Sequence, residues 1–512
     1  MTVDEVPPWC VWRRGRSAAL VIAPHGGRRA PGSAGDPARG ERKVNDLHTA
    51  QVATELAEVL DGGLIVNPAL DRNELDLNRI SQVAGRAPWF LSLIEMLLDD
   101  ILARHARAEV VFVHGWNVVQ PKCDIGIGQR LMDAAAAALH ADALTVSPQY
   151  AASRLARLQA TCAAAGLAAH FGERYPARHP NNFLQIFRRG APGGAPRLAR
   201  WRAEGRVEAV QLELGMPLRW PGPARGAFIA AVAEAFGATD GAWEVFPDGA
   251  SLEVHSGGIQ FYDPQAQLGL TARVDRATAR IASRLLIFIG RRRLALFIGE
   301  DALGHRSSAH GLHVLPESGG FRLWFGGTAL LCDDGALYVD LEQAFAASRL
   351  CPVHLDVRFH GGPIRDCGSV NGWVEVDGER RHIDAYALAE QVLPHRAPGA
   401  WSTHTQLHAS FGAAGALHLR HEFPGAGGML YERTAAGETE TMIPGLHVAF
   451  DGSPTAPRHI IAGDLSCEPL GWMTIARPLG AQRTAHATFG PARFVRGGAE
   501  GFGFYEYARA IA

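Results

Sequence analysis

The sequence predicts an α/β domain followed by an all-β domain. Three observations lead there. A chain of 512 residues is too long for one hydrophobic core. Residues 17–235 alternate short apolar runs with stretches of helical spacing, the mark of a mostly parallel or mixed sheet with helices on both faces. Residues 243–512 instead hold many short alternating, β-branched or aromatic runs separated by turn residues. A Gly-rich stretch, Gly237–Gly241, separates the two, so the domains are expected at 1–238 and 239–512.

Composition narrows the function classes. The hydrophobic fraction is 47% and the charged fraction 20%, as in soluble globular proteins. A net charge of -2 gives no electrostatic case for nucleic acid or an anionic membrane. No apolar run reaches the ~20 residues of a membrane span. The start, MTVDEVPPWC, is acidic and lacks the regions of a signal peptide. Seven cysteines contain no C-x-x-C pair, which fits a reducing cytoplasm and argues against a disulfide framework or a Cys-based zinc site. A cytoplasmic location is the expectation. Apart from Lys43 and Lys122 the basic residues are arginines, which reads as GC-rich coding.

In the first domain, Ser17–Pro24 reads as a strand and Asp46–Leu60 as a helix ended by Gly62-Gly63. Leu64–Asn67 is a strand, Trp89–Arg107 a helix and Glu109–Val113 a strand. Arg130–His140 and Ser153–Gly166 read as helices, Ala209–Leu214 as a strand, and Pro223–Phe236 as the closing helix. Four strand ends carry unusual residues. The first stops at Pro24-His25-Gly26-Gly27, where two glycines leave the backbone open to a ligand. The second leads into Asp71-Arg72-Asn73-Glu74-Leu75-Asp76-Leu77-Asn78-Arg79. The third ends in His114-Gly115 and repeats the first. The fourth, Gln211-Leu212-Glu213-Leu214, sets a carboxylate in an apolar strand. Open α/β sheets carry their sites at such carboxyl ends.

Two histidines at two strand ends suit zinc, which takes three protein ligands at a catalytic site. A carboxylate should be the third. Asp46 is the first choice, although it also reads as a helix cap; Glu41 and His48 are rivals. Glu213 reads either as a general base near the metal or as half of an ion pair with Arg219 or Arg79. Arg72, Asn78 and Arg79 would grip a carboxylate, or belong to a solvated loop.

The set Ala23-Pro-His25-Gly-Gly, Asp76-Leu-Asn78-Arg79, His114-Gly and Gln211-Leu-Glu213 resembles the N-formylglutamate amidohydrolase family over roughly residues 15–236. Cys123-Asp124-Ile-Gly126-Ile-Gly128 resembles that family's loop after its second histidine. The resemblance implies a zinc carboxypeptidase-like fold. It implies His25, Asp46 and His114 as metal ligands for one zinc ion per chain. Glu213 would be the base, and Asn78 and Arg79 would bind the substrate carboxylate. Related carboxypeptidases place a glutamate three residues after the first histidine, where this chain has Arg28. The insertion Arg28–Arg42 also departs from a compact form and suggests a flap. Tyr175, His179, Asn181 and Asn182 form a late polar loop suited to a substrate pocket.

In the second domain, strands are expected at Leu285–Ile289, Leu294–Ile298, Arg322–Phe325, Val353–Phe359, Val370–Val376 and Leu446–Phe450. Asp333-Asp-Gly335, Asp377-Gly378 and Asp451-Gly452 suggest hairpin turns, and Asp340–Ala347 a helix. Gly368-Ser-Val-Asn-Gly372-Trp-Val-Glu-Val-Asp-Gly378 and the ending Gly501-Phe-Gly-Phe-Tyr-Glu506-Tyr507 resemble the lipocalin-like two-barrel proteins related to carotenoid hydratases and tocopherol cyclases. Those carry Arg-Asp-x-Ser-Trp-Gly after the hairpin, where this chain reads Ala385-Tyr-Ala-Leu-Ala-Glu-Gln-Val-Leu. His305, His310, His313, His354 and His360 follow no standard metal spacing.

The sequence therefore reads as a zinc-dependent hydrolase of an amide in a small N-acyl amino-acid-like substrate, with N-formyl as the smallest case. The competing reading is a β-barrel that binds or isomerises an apolar ligand, with the first domain a scaffold. A third is a bifunctional enzyme whose substrate has an amide and an apolar part.

Overall fold

In the computed structural model the described residues are 6–28, 43–129, 143–188, 195–237, 257–277, 280–302, 311–362, 366–390, 404–422, 428–443, 445–450, 457–478 and 484–511. They fall into two compact units. The expected helix Arg130–His140, the flap, Glu41, the 238/239 boundary, His305, His310 and the Asp451-Gly452 turn lie outside these residues.

The first unit is a mixed sheet with helices on both faces. Its strands are β1 (Val11–Arg13), β2 (Ala19–Ala23), β3 (Gly63–Val66), β4 (Ala108–Gly115), β5 (Lys122–Gly126), β6 (Ala168–Phe171) and β7 (Val207–Leu214). They lie in the order β1-β3-β2-β4-β7-β5-β6. The run β3-β2-β4-β7 is parallel, while β1 and β5 each run antiparallel to a neighbour. Alternation divides each central strand between two cores. Val21, Val111 and Val210 pack with α1 (Thr49–Val59) and the closing helix Pro223–Gly237. Leu20, Val110 and Ala209 face the other way, toward α2 (Ile80–Arg86) and α3 (Pro88–Arg104).

Several boundaries differ from the sequence expectation. The first long helix begins at Thr49, not Asp46, because His48 takes a left-handed φ of 67° that a helix cannot continue through. The expected helix at Ser153 begins at Pro148, capped by the Ser147 hydroxyl, and carries a π-type turn over Ala151–Leu155. The short strands β1, β5 and β6 and the helices Ile80–Arg86 and Pro196–Ala203 were not anticipated.

The second unit is all-β except for short helical turns. Its first sheet comprises β8 (Gly257–Asp263), β9 (Leu268–Ala277), β10 (Arg280–Ile289), β11 (Arg293–Ala302), β12 (Leu312–Glu317), β13 (Gly320–Cys332), β14 (Arg349–Gly361), β15 (Cys367–Val376) and β16 (Glu379–Glu390). Pairing of β11 with β13 closes eight of them into a barrel, with β12 added outside on β13. The second sheet comprises β17 (His404–Ser410), β18 (Ala416–Glu422), β19 (Gly428–Thr434), β20 (Gly437–Ile443), β21 (His447–Phe450), β22 (Pro457–Ala462), β23 (Leu465–Pro469), β24 (Met473–Pro478), β25 (Thr484–Arg496) and β26 (Ala499–Ile511). Its ends, β20 and β21, do not pair among the described residues, so it is a half-barrel. The lipocalin-like expectation therefore holds with one barrel closed.

Turn chemistry explains two details. Asp377 (φ 57°) and Gly378 (φ 84°) make a two-residue hairpin between Val376 and Glu379, as their type predicts. Asp333-Asp-Gly335 does not make the expected hairpin. Asp334 accepts from the Ala336 backbone N–H and starts a 3-10 turn, and Asp340 then caps the helix Leu341–Ala347.

Candidate metal centre

The site lies at the carboxyl ends of three adjacent parallel strands, β2, β4 and β7. His25 follows β2 by two residues. His114 is in β4, and its register partner across the ladder is Glu213 of β7. Asp46 comes from the segment between β2 and α1, pinned when its N–H donates to the His25 carbonyl. His25 Nδ1 and His114 Nδ1 each lie 3.2 Å from the same oxygen, Asp46 Oδ2. The two rings meet edge to face with centroids 4.9 Å apart. All three residues are buried.

This donor set fits a divalent cation. One ligand atom from each of His25, Asp46 and His114 lies within 4.8 Å of the others. Burial, partly offset by the Asp46 bond, brings His114 down to about 4, so its ring is neutral at pH 7, the ligating form. Among the described residues His114 Nε2 is buried without a hydrogen-bond partner, while Nδ1 faces Asp46. His25 Nε2 donates to Asp76 Oδ1 at 2.6 Å, which fixes the ring with Nδ1 toward Asp46. Burial alone would raise Asp46, but Arg72 and the two histidine bonds hold its carboxyl well below the usual range. Two nitrogens and one carboxylate are a zinc-type set.

Glu213 is buried, and no ion pair to it occurs among the described residues. Gln211 Nε2 donates to its Oε1 at 3.0 Å, and Asn182 Nδ2 donates to Gln211 Oε1 at 3.2 Å. Burial, followed by the charge of Asp46, pushes the Glu213 carboxyl well above its ordinary value. Arg219, one proposed partner, is fully buried but donates to the carbonyls of Leu214, Leu47 and Trp116 and to Asn117 Oδ1. Arg79, the other, lies 3.5 Å from Asp76 instead.

The polar block splits by role. Arg72 Nη1 donates to Asp46 Oδ1 at 2.8 Å, so this arginine orients a proposed ligand. Arg79 is partly exposed and Asn78 half-buried, and both remain beside the site. The late polar loop holds them. Asn182 bridges Arg79, Asn181 pairs with Ser81, and the Phe183 N–H donates to the Asn78 carbonyl. Tyr175 lies apart from that contact: its N–H joins those of Glu173 and Arg174 on the Asp124 carboxylate.

Sequence reasoning gave no role to Asp76 or Lys43. Asp76 is buried between His25 and Lys43 Nζ, which lies 3.3 Å away. Burial opposes ionisation, yet His25, Arg72 and Lys43 hold its carboxyl well below the usual range. The Asp-Leu-Asn-Arg run was the available signal, since an acid heading a polar run after a strand is placed to reach a strand-end histidine.

Two expectations are corrected. Gly26 and Gly27 do not open the backbone to a ligand. A Cβ at Gly26 would meet Ala50 Cβ at 2.6 Å, and one at Gly27 would meet the Leu70 carbonyl oxygen at 2.0 Å, so they admit the chain's own backbone. His48 is not in the cluster. It packs on Trp220 with centroids 4.7 Å apart, and burial followed by the charge of Arg28 lowers it to about 4.

No protein-family model matches the chain, and no curated protein matches it. Solved structures do. The N-formylglutamate amidohydrolase of Ralstonia eutropha JMP134 is similar at 11% identity, with 44% of this chain and 95% of that one covered and a TM-score of 0.31. A gene product of Agrobacterium tumefaciens matches at 13% identity, covering 44% and 92%, with a TM-score of 0.31. Kievitone hydratase of Nectria haematococca matches at 10% identity, covering 49% and 87%, with a TM-score of 0.30. Among the described residues no helix is long and apolar enough to cross a membrane.

Proposed function

We propose that the α/β unit is a metal-dependent amidohydrolase acting on a small N-acyl amino-acid-like substrate. The observation that carries this reading is the convergence of His25 Nδ1 and His114 Nδ1 on Asp46 Oδ2, with buried Glu213 as the register neighbour of His114. A zinc ion held by His25, Asp46 and His114 would supply Lewis acidity toward the scissile carbonyl and toward water.

The remaining work falls to the chain's own side chains. Glu213 takes a proton from the attacking water; its raised affinity for protons suits it to that task. It then hands the proton to the leaving nitrogen as the C–N bond breaks, giving a carboxylate and an amine. Gln211, itself held by Asn182, fixes the Glu213 carboxylate. Arg79 and Asn78 grip the substrate carboxylate, and Arg72 acts on it indirectly by orienting Asp46.

The test is metal content and hydrolysis on chelator-washed, zinc-reconstituted protein, beside His25→Ala and Glu213→Gln. The expected result is one zinc per chain, lost in His25→Ala and kept in Glu213→Gln. Turnover of N-formyl amino acids should fall by about 10²–10⁴-fold in Glu213→Gln. No stoichiometric metal in the unmodified protein would overturn the reading.

A further inference from the structure

The second unit contains a cavity of about 460 Å³ between the outer face of the barrel and the half-barrel. Such a volume suits a small organic molecule. Strand alternation builds it. Leu285 and Ile287 point into the barrel core, so Arg284 and Leu286 of β10 face outward. Leu286, Ile475, Phe489 and Phe504 give the cavity an apolar side.

Its polar side has an unbalanced charge. Arg273 of β9 and Arg284 of β10 are direct cross-strand partners, and both line the cavity. Like charges directly opposite one another destabilise a sheet. Arg273 is answered by Asp275 at 2.7 Å. Two further charged lining residues are answered as well: Arg433 by Asp366 at 3.2 Å, and Glu506 by His404 at 3.0 Å. Arg284 has no acidic partner among the described residues, and it is exposed, so it stands where the cavity meets solvent.

One neutral group adds unspent hydrogen-bonding capacity. His418 lines the cavity and stacks on His408 with centroids 4.2 Å apart, and among the described residues its buried Nε2 has no hydrogen-bond partner. A buried polar atom without a partner is costly, so a polar ligand would remove a penalty the unit otherwise carries.

We propose that this cavity binds an amphipathic monocarboxylate, with its carboxylate on Arg284 and its chain along Leu286, Ile475, Phe489 and Phe504. This revises the expectation of a purely apolar ligand. It is independent of the hydrolase reading, because none of these residues belongs to the metal centre.

The test is calorimetric titration of the full chain with decanoate, beside decylamine and 1-decanol. Decanoate should bind at one site per chain, the alcohol about 10-fold or more weakly, and the amine not measurably. Arg284→Gln should weaken decanoate about 10-fold or more, and Arg284→Lys should recover most of it. Because Arg284 is exposed, its variants should melt like the parent. The His25→Ala protein should bind decanoate unchanged, which separates this site from carboxylate binding at a metal. Equal binding of the alcohol, indifference to Arg284→Gln, loss of binding in His25→Ala, or no binding of decanoate would each overturn the proposal.

Discussion

Replacing Asp76 should weaken metal binding without abolishing it. Asp76 touches the proposed centre through His25, accepting from Nε2 at 2.6 Å from a buried position. Carboxylates that orient a ligating imidazole in this way contribute ~10–100-fold in metal affinity, or about 1.4–2.8 kcal/mol. Asp76→Ala removes the acceptor and leaves buried His25 free to rotate, so it belongs at the upper end. Asp76→Asn keeps an oxygen at the same place but loses the charge that Lys43 and Arg79 also face, so it belongs at the lower end. Asp46→Ala removes a proposed ligand and the carboxylate that Arg72 Nη1 donates to, and should retain no stoichiometric zinc. The assay is competition for zinc against a chromogenic chelator, with metal content measured after gel filtration. The reasoning fails if Asp76→Ala abolishes binding while Asp46→Ala merely weakens it, for then Asp76 would be the ligand and Asp46 the support. It also fails if Asp76→Ala binds zinc like the parent.

Three more outcomes follow from the geometry. Arg79→Met should raise KM for a carboxylate-bearing substrate ~10-fold or more with a smaller change in kcat; an unchanged KM would remove Arg79 from the site. Gly115→Ala would bring a Cβ to 2.4 Å from Arg219 Nη1, so it should destabilise by about 1–3 kcal/mol in urea titrations; parental stability would mean that Arg219 is free to shift. Burial, with the charge of His418 next, lowers His408 to about 3, and burial, with Arg433 next, lowers His418 to about 4. The unfolded chain takes up these protons near pH 6.5 and the folded one does not. Their contribution is therefore complete above about pH 6.5 and is lost as pH falls toward 4, at up to ~1.4 kcal/mol per pH unit each. Urea midpoints at pH 7.5, 5.5 and 4.5 should show a shallower pH slope in the His408→Gln/His418→Gln double variant; an unaltered slope would refute the assignment.

The fold class was legible because it rests on periodicity. The central strands of the first unit are nearly pure apolar runs, and the second unit alternates with Gly-marked turns. Short elements were not legible: β1 is three residues long, and Lys122–Gly126 carries a lysine and an aspartate whose burial depends on Glu173 and on distant backbone donors. At the site, His25 and His114 stood out as polar ends of apolar strands and Glu213 as a carboxylate within one, whereas Asp46 was visible only as the carboxylate opening the next helix, with Glu41 and His48 as rivals. Asp76 did not, because its meaning depends on a side chain 51 positions earlier. The glycines after His25 were visible, but their reason was not, since it lies in the approach of Ala50 and Leu70.

Arg219 has a consequence for how this scaffold could change. Its guanidinium bonds backbone carbonyls just after Asp46, His114 and Glu213, at Leu47, Trp116 and Leu214. It fixes main chain and leaves the side chains of the candidate centre untouched. Geometry and chemistry are thereby written in separate residues. Substitutions at 25, 46, 114 or 213 would change the chemistry of the candidate centre while the frame stays where it is, whereas a lysine at 219, lacking the planar fork, would loosen all three arms together.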